Sequence, residues 1–136
     1  IETMEVPVLF EAPVASSLLG HFVGAVSGGS LYRKASFLLD SVGQQVFSPL
    51  AQIRDVPDVR RGLASSPFDD EGVATHRRDI VKDGVLQGYF LGSYSARKLG
   101  LRSTGNAGIR RVLGKIVVTV PPATALPPPC TFKTMV

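Results

Sequence analysis

The chain has 136 residues, of which 44% are hydrophobic and 19% charged, and its net charge is +4 at pH 7; this suits one packed domain and excludes a mostly disordered chain. No apolar run approaches the roughly 18 uninterrupted residues of a membrane-spanning helix, so we expect no membrane contact. A single cysteine, Cys130, excludes an internal disulfide and a cysteine-rich zinc site, and makes a cytoplasmic location our expectation.

The N-terminal part of the chain predicts a strand followed by one helix. It is acidic, lacks a signal-peptide pattern and does not begin with Met, so we expect a processed product or a fragment of a longer protein. Residues 6–10 are apolar and β-branched, which predicts a strand at a sheet edge. Apolar residues then recur at helical spacing over residues 13–27, and Gly28 and Gly29 predict the end of that helix.

Gly20 and Gly24 give the predicted helix a thin, Gly-rich face. Two glycines within a helix cost about 1–2 kcal/mol of helix propensity relative to alanine. A packing reason normally accompanies such a cost, so we expect another backbone to lie close to this face.

The middle of the chain predicts a strand, a long loop and a hairpin. Residues 51–56 alternate between apolar and polar side chains, as a strand does, and the turn-rich residues 57–72 predict a long loop. Residues 74–81 and 85–91 are two further runs that flank an Asp-Gly pair at 83–84. Asp-Gly between two such runs is the strongest short-range signal of a β-hairpin.

The last part of the chain predicts a short helix, a strand and a tail. Residues 93–99 predict a helix that Gly100 ends, and residues 115–120 predict a strand. Five prolines follow residue 120, so we assign residues 1–120 to a domain and residues 121–136 to a disordered or polyproline-like tail. The elements indicate the α+β class, with a mixed, largely antiparallel sheet, one thin Gly-rich amphipathic helix and a β-hairpin.

The charges are unevenly distributed along the chain. All eleven acidic residues lie at or before Asp83 with eight basic ones, so that part carries −3, and the seven later basic residues give the remainder +7. Such polarity favours an anionic partner or a fragment whose missing neighbours supply acidic residues. The positive charges are dispersed and no aromatic stacking pattern accompanies them, so we do not expect nucleic acid as the partner.

Two polar segments are candidates for chemistry. Asp69, Asp70 and Glu71 are adjacent, so they either bind a divalent cation or a basic peptide group, or form a turn with side-chain-to-backbone hydrogen bonds. Residues 103–108 are rich in Gly, Ser and Thr like a phosphate loop, but they lack its Lys and spacing, which favours a plain turn. His21 lies beside the apolar stripe of the predicted helix, where packing is the commoner role.

Eight short segments in order over roughly residues 5–108 resemble the C-terminal domain of the TldD/PmbA peptidase family, also named modulator of DNA gyrase. They are VPVLF at 6–10, LLG at 18–20, VSG at 26–28, RKASFL at 33–38, PFDDEG at 67–72, DGVLQGY at 83–89, YSARKLG at 94–100 and TGNAG at 104–108. Each segment is weak by itself, but the ordered set is specific.

This resemblance implies a cytoplasmic bacterial or archaeal system of paired homologous subunits that degrades or trims peptides. The family's active subunit carries H-E-x-x-x-H, in which two His bind zinc and the Glu activates water. Counted back from the shared Arg-Lys pair at 33–34, those positions hold Gly20, His21 and Ala25 here. The active subunit also uses a later Cys, a role that Cys130 does not inherit. The chain therefore resembles the PmbA (TldE) type, the non-catalytic subunit.

The expected function is therefore that of a subunit that binds unfolded peptide and its partner in a metallopeptidase. We expect no catalytic residue and no metal in this chain, zinc in a homologous TldD-like subunit, and either that heterodimer or a homodimer. The residues expected to bind the peptide or the partner are Asp69, Asp70, Glu71, Arg97 and Asn106. An extended peptide would add as a strand at a sheet edge such as residues 6–10.

Two alternatives remain open from the sequence. The first is an independently active metallopeptidase whose metal site combines His21 with the three adjacent carboxylates. The second is a binding module that modulates DNA gyrase or binds nucleic acid, which the basic end and the family's other name favour.

Overall fold

The computed structural model describes residues 8, 10–62, 64–108 and 116–119. Their elements in chain order are α1 (Ala12–Ala25), α2 (Gly28–Tyr32), β1 (Gln52–Asp55), β2 (Arg78–Lys82), β3 (Val85–Leu86), α3 (Ser93–Lys98) and β4 (Ile116–Thr119). The strands form one sheet in the order β3-β2-β1-β4, and all neighbouring strands are antiparallel. The α+β class with a largely antiparallel sheet is therefore confirmed.

The predicted hairpin is confirmed at Asp83 and Gly84. Their φ angles are +51° and +76°, as a two-residue type I′ turn requires, and Val81 pairs with Leu86 beyond the turn. The paired strands are shorter than the sequence predicts. Phe90 leaves the hairpin because its backbone N–H donates to Val26 O at 3.0 Å and its carbonyl accepts from the start of α2.

The predicted first helix is confirmed as α1, but its predicted end is wrong. It ends at Ala25, and Gly28 begins the next helix instead of closing this one. The reason is tertiary: the Gly28 N–H donates to Phe90 O at 2.8 Å, and a Cβ on Gly28 would collide with Ser95. The backbone expected against Gly20 is also missing from the described residues, since nothing lies within 4 Å of a Cβ built there.

The core is one cluster of buried side chains from the helices, the sheet and the segments between them. The C-terminal half of α1 supplies buried side chains, whereas Val14 and Leu18 near its start are about half exposed. The other buried apolar residues come from α2, the strands and the segment before α3. These residues are Phe22, Val23, Val26, Leu31, Leu38, Ile53, Ile80, Val81, Leu86, Tyr89, Phe90, Leu91 and Ala96.

The remaining predicted elements have mixed outcomes. The strands predicted at 51–56 and 115–120 are confirmed as β1 and β4, residues 57–72 contain no described helix or strand, and α3 ends before Gly100 at φ +68°. Of the strand predicted at 6–10, only residues 8 and 10 are described, and neither lies in a strand. The tail at 121–136 lies outside the described residues. No helix in the described part is long and apolar enough to cross a membrane.

Candidate functional site

A buried polar network links the sheet to the loop at residues 104–108. Asp55, the last residue of β1, is 2% exposed, and its Oδ2 accepts a 3.0 Å hydrogen bond from Asn106 Nδ2. Asn106 Oδ1 accepts two more, from Arg78 Nη2 and from Thr104 Oγ1, each at 2.8 Å. Arg78 Nε lies 3.5 Å from Asp55 Oδ2, which makes an ion pair and not a short hydrogen bond. One amide thus joins a carboxylate, a guanidinium and a hydroxyl.

Arg78 is the charged centre of this network. Burial lowers the pKa of Arg78 below its ordinary value, and the Asp55 carboxylate opposes that shift. The guanidinium carbon lies 5.1 Å from the centre of the Phe90 ring, whose face attracts a cation. Asp55 Oδ1 and Arg78 Nε have no hydrogen-bond partner in the described part of the chain. Removing either charge would therefore leave the other buried and uncompensated.

Asn106 was identified from the sequence as a site residue, but Asp55 and Arg78 were not. A strand places residues two apart on the same face. Asp55 lies two residues after Ile53 in β1 and so shares the face of Ile53, which is 1% exposed. Across the sheet, Asp55 pairs with Arg78. The alternation in β1 therefore already contained the signal for a buried Asp55, whereas the irregular register of β2 gave no such signal for Arg78.

Asp69 organises the acidic segment as a turn. Its Oδ1 accepts hydrogen bonds from the backbone N–H groups of Glu71 and Val73, both at 2.9 Å. Its Oδ2 accepts a third from Ala107 N at 2.9 Å, which fixes the turn to the loop that carries Asn106. The turn alternative is confirmed for Asp69, because its buried carboxylate holds backbone groups in place.

Glu71 and Asp70 point to different neighbours. Glu71 Oε2 accepts a 2.6 Å hydrogen bond from the backbone N–H of Ser93, the first residue of α3, where a negative charge is favourable. The Asp70 carboxylate lies against Gly108, at φ +83°, so closely that a Cβ there would collide with it. Both acidic residues therefore shape the joint between the long loop, α3 and the loop at 106–108.

The loop at residues 103–108 acts as a structural turn. Thr104 Oγ1 accepts a 2.8 Å hydrogen bond from Leu91 N, and Gly105 has a φ of +68°. A Cβ on Gly105 would lie 2.5 Å from Ala74 O, so only glycine fits there. These contacts favour the plain turn over a phosphate loop.

An open cleft of about 380 Å³ lies above this framework. The starts of α2 and α3, the acidic turn and the loop at 106–108 form its walls. Its lining residues are Ser27, Gly28, Gly29, Tyr32, Arg33, Glu71, Phe90, Gly92, Tyr94, Ser95, Asn106, Ala107 and Gly108. Of the five residues expected to bind peptide or partner, Glu71 and Asn106 line this cleft. Asp69 and Asp70 support its wall, whereas Arg97 lies in a separate surface pocket beside Lys98.

Three of the cleft residues that were not identified from the sequence as site residues form one group. Tyr32 and Tyr94 pack edge to face, with ring centres 5.5 Å apart and an interplanar angle of 82°. Arg33 lies beside them, with its guanidinium carbon 5.4 Å from the Tyr32 ring centre. No local pattern predicts this group, because α2 and α3 are brought together only in the folded chain.

The residues at the positions that correspond to the family's zinc motif do not provide a set of metal ligands. Gly20 and Ala25 have no ligand side chain, and His21 is exposed and lines an apolar pocket with Phe22 and Phe37. Among the residues that the structure describes, no three His, Cys, Asp or Glu side chains are grouped to hold a metal ion. His21 and the acidic turn therefore do not form the metal site that the independent-enzyme alternative requires.

Comparisons with known proteins show which family the chain is similar to. Residues 3–125 match the family model described as PmbA/TldA metallopeptidase C-terminal domain. The chain is 57% identical over 108 residues to metalloprotease PmbA of Escherichia coli O157:H7, covering 79% of this chain and 24% of that protein. It is 39% identical over 101 residues to a metalloprotease TldD homolog of Haemophilus influenzae, covering 74% of this chain and 21% of that protein.

A solved structure shares the fold. The chain superposes with a TM-score of 0.70 and 34% identity on a Thermotoga maritima protein described as a modulator of a DNA gyrase, covering 79% of this chain and 25% of that one. The chain thus spans about a quarter of the length of these relatives. Because the family model covers most of the sequence, the chain belongs to the PmbA/TldA metallopeptidase C-terminal domain family.

Proposed function

We propose that this chain is the C-terminal part of a non-catalytic subunit of a PmbA/TldD-type metallopeptidase. In this proposal the subunit binds peptide and completes the complex, while a homologous subunit supplies zinc. The higher identity to a PmbA protein than to a TldD homolog, 57% against 39%, supports the assignment to the PmbA side of the family.

The observation that carries the proposal is the composition of α1. A catalytic zinc site needs three protein ligands and an open position, with a carboxylate to accept the proton of the attacking water. The matching positions of α1 hold Gly20, His21 and Ala25, which together offer one side-chain ligand and no carboxylate. This composition supports a zinc site supplied by the homologous subunit.

The cleft supports the peptide-binding half of the proposal. Its lining includes Gly29, where a Cβ would meet only the Arg33 side chain, so a second backbone has room to approach there. Its tyrosines offer apolar faces with polar tips, and Glu71 and Arg33 provide one charge of each sign. A small number of polar groups in a partly apolar cleft is typical of a site that fixes the orientation of a ligand.

The experiment uses the full-length protein that contains this chain, isolated under native conditions. We expect mass spectrometry to identify a homologous partner that bears H-E-x-x-x-H. We also expect zinc in the pair but not in this subunit alone, and peptide cleavage only by the pair. Recovery of only this subunit, of gyrase or of nucleic acid would refute the proposal and favour the binding module.

Two variants test the proposal, and the first of them separates it from the independent enzyme. His21→Ala is expected to leave zinc content and peptide cleavage of the pair unchanged, because the exposed His21 ring lies on an apolar pocket outside the cleft. Asp70→Ala is expected to weaken cleavage, because Asp70 supports the loop at Gly108 that lines the cleft. Zinc and cleavage by the subunit alone, both lost in His21→Ala, would instead establish an independent enzyme.

A further inference from the structure

The cleft contains an arginine whose charge is not matched by any acidic side chain of the described residues. Three other arginines make ion pairs: Arg54 with Asp79 at 2.8 Å, Arg77 with Asp58 at 2.6 Å and Arg78 with Asp55 at 3.5 Å. Arg33 lines the cleft, is exposed, and makes no ion pair in the part of the chain that the structure describes. Its donors are therefore available to a ligand.

Arg33 is also held in position. Its Nη1 donates a 3.4 Å hydrogen bond to the Tyr32 hydroxyl, and its guanidinium carbon lies 5.4 Å from the Tyr32 ring centre. Tyr32 is itself packed against Tyr94 of α3. Gly29, one turn earlier, lies beside the guanidinium, since a Cβ there would be in ordinary van der Waals contact with Arg33 Nη2, at 3.6 Å. A guanidinium fixed in this way loses less conformational entropy when it binds a ligand.

We propose that Arg33 binds a carboxylate of the peptide and so sets the direction in which the peptide lies in the cleft. This inference rests on the proposed peptide-binding function. Arginine presents parallel N–H donors that match the two oxygens of a carboxylate, and such charge-assisted bonds are about twice as strong as neutral ones.

Glu71 gives the cleft its second, opposite charge. It lies on a different wall, bonded to the start of α3, and makes no ion pair with Arg33. Like charges repel, so a peptide carboxylate is excluded from the Glu71 wall and is directed to Arg33. The carboxylate can be the peptide's free C-terminus or an Asp or Glu side chain, and both sources share this chemistry.

The test measures fluorescence polarisation of labelled hexapeptides with the full-length protein at fixed ionic strength. One peptide has a free C-terminal carboxylate and no acidic side chain, and the second is its C-terminal amide. The third and fourth are amides that contain a single Glu or a single Gln. We expect the free acid, the Glu amide or both to bind about tenfold or more tightly than their neutral counterparts.

Arg33→Gln is expected to abolish this preference, lowering the affinity for the carboxylate peptides to that for the amides. The matched control is Arg60→Gln, an exposed arginine of the long loop outside the cleft, which should leave the preference intact. Equal binding of all four peptides, or a preference for carboxylate peptides that survives Arg33→Gln, would overturn the role of Arg33 but not the proposed peptide-binding function. A wild-type protein that binds none of them would overturn the proposed peptide-binding function as well.

Discussion

Replacement of Asp55 by Ala should release the loop that lines the cleft. Asp55 is the only acidic partner of Arg78 among the described residues and the acceptor for Asn106 Nδ2 at 3.0 Å. Its loss leaves the largely buried Arg78 guanidinium beside Phe90 with no counter-charge among the described residues. Asn106 then loses one of its three hydrogen bonds, so the whole loop at 104–108 should open more often.

The size of this effect follows from the geometry. Two unit charges 3.5 Å apart attract each other by about 5 kcal/mol at an effective dielectric constant of about 20. Breaking a fully buried pair costs about 3–5 kcal/mol. The Arg78 side chain is 21% exposed, so water can partly solvate the freed charge. We therefore expect a loss near the lower limit, about 3 kcal/mol in local opening free energy.

Amide hydrogen exchange of the full-length protein, followed by mass spectrometry, measures this local opening directly. A loss of about 3 kcal/mol corresponds to roughly 100-fold faster exchange of protected amides in residues 89–108. The matched control is Asp79→Ala, which breaks the exposed ion pair with Arg54 and should cost at most about 1 kcal/mol. Equal exchange in the two variants would refute the argument that burial makes the Asp55 pair important.

Gly28→Ala should lower the free energy of unfolding by about 1–3 kcal/mol in chemical denaturation, because the added Cβ collides with Ser95. Gly20→Ala, on the open face of α1, should instead raise it by about 1 kcal/mol. Similar effects of the two variants would contradict this packing. The hydrogen bond from Arg77 lowers the pKa of Asp58 in the folded protein below its ordinary value of 3.8. The favourable interaction of this pair is therefore fully present above pH 3.8 and is lost as the pH falls through the lowered pKa of Asp58. An NMR titration of Arg77→Gln should therefore show the Asp58 pKa returning toward 3.8, and an unchanged midpoint would disprove the contact.

Elements with a local cause were predictable from the sequence. The Asp-Gly pair at 83–84 adopts the two positive φ angles of a tight hairpin, and Gly100 follows α3 in the left-handed conformation. The alternation over 51–56 predicts β1 for a similar local reason, because successive side chains of a strand point to opposite faces of the sheet. The turn at Asp69 also follows from a short side chain that bonds nearby backbone groups.

Elements that depend on distant residues were not predictable in this way. Gly28 was expected to end a helix, yet it begins α2, because the Phe90 carbonyl and the Ser95 side chain, both far along the chain, occupy the space around it. The strand predicted at 85–91 stops after Leu86 for a related reason, since Phe90 bonds to Val26 and not to the sheet.

The sequence by itself determined the family, the hairpin, the main helix and the absence of a zinc motif at Gly20, His21 and Ala25, because each depends on residue identity and local spacing. Only the tertiary structure decided where the cleft lies and which charges face it. Asp55 and Asn106 are 51 residues apart and bond only after the sheet and the loop have packed. The cleft that holds Arg33 lies where Gly28 of α2 meets Ser95 of α3, a contact between distant segments that no local pattern encodes.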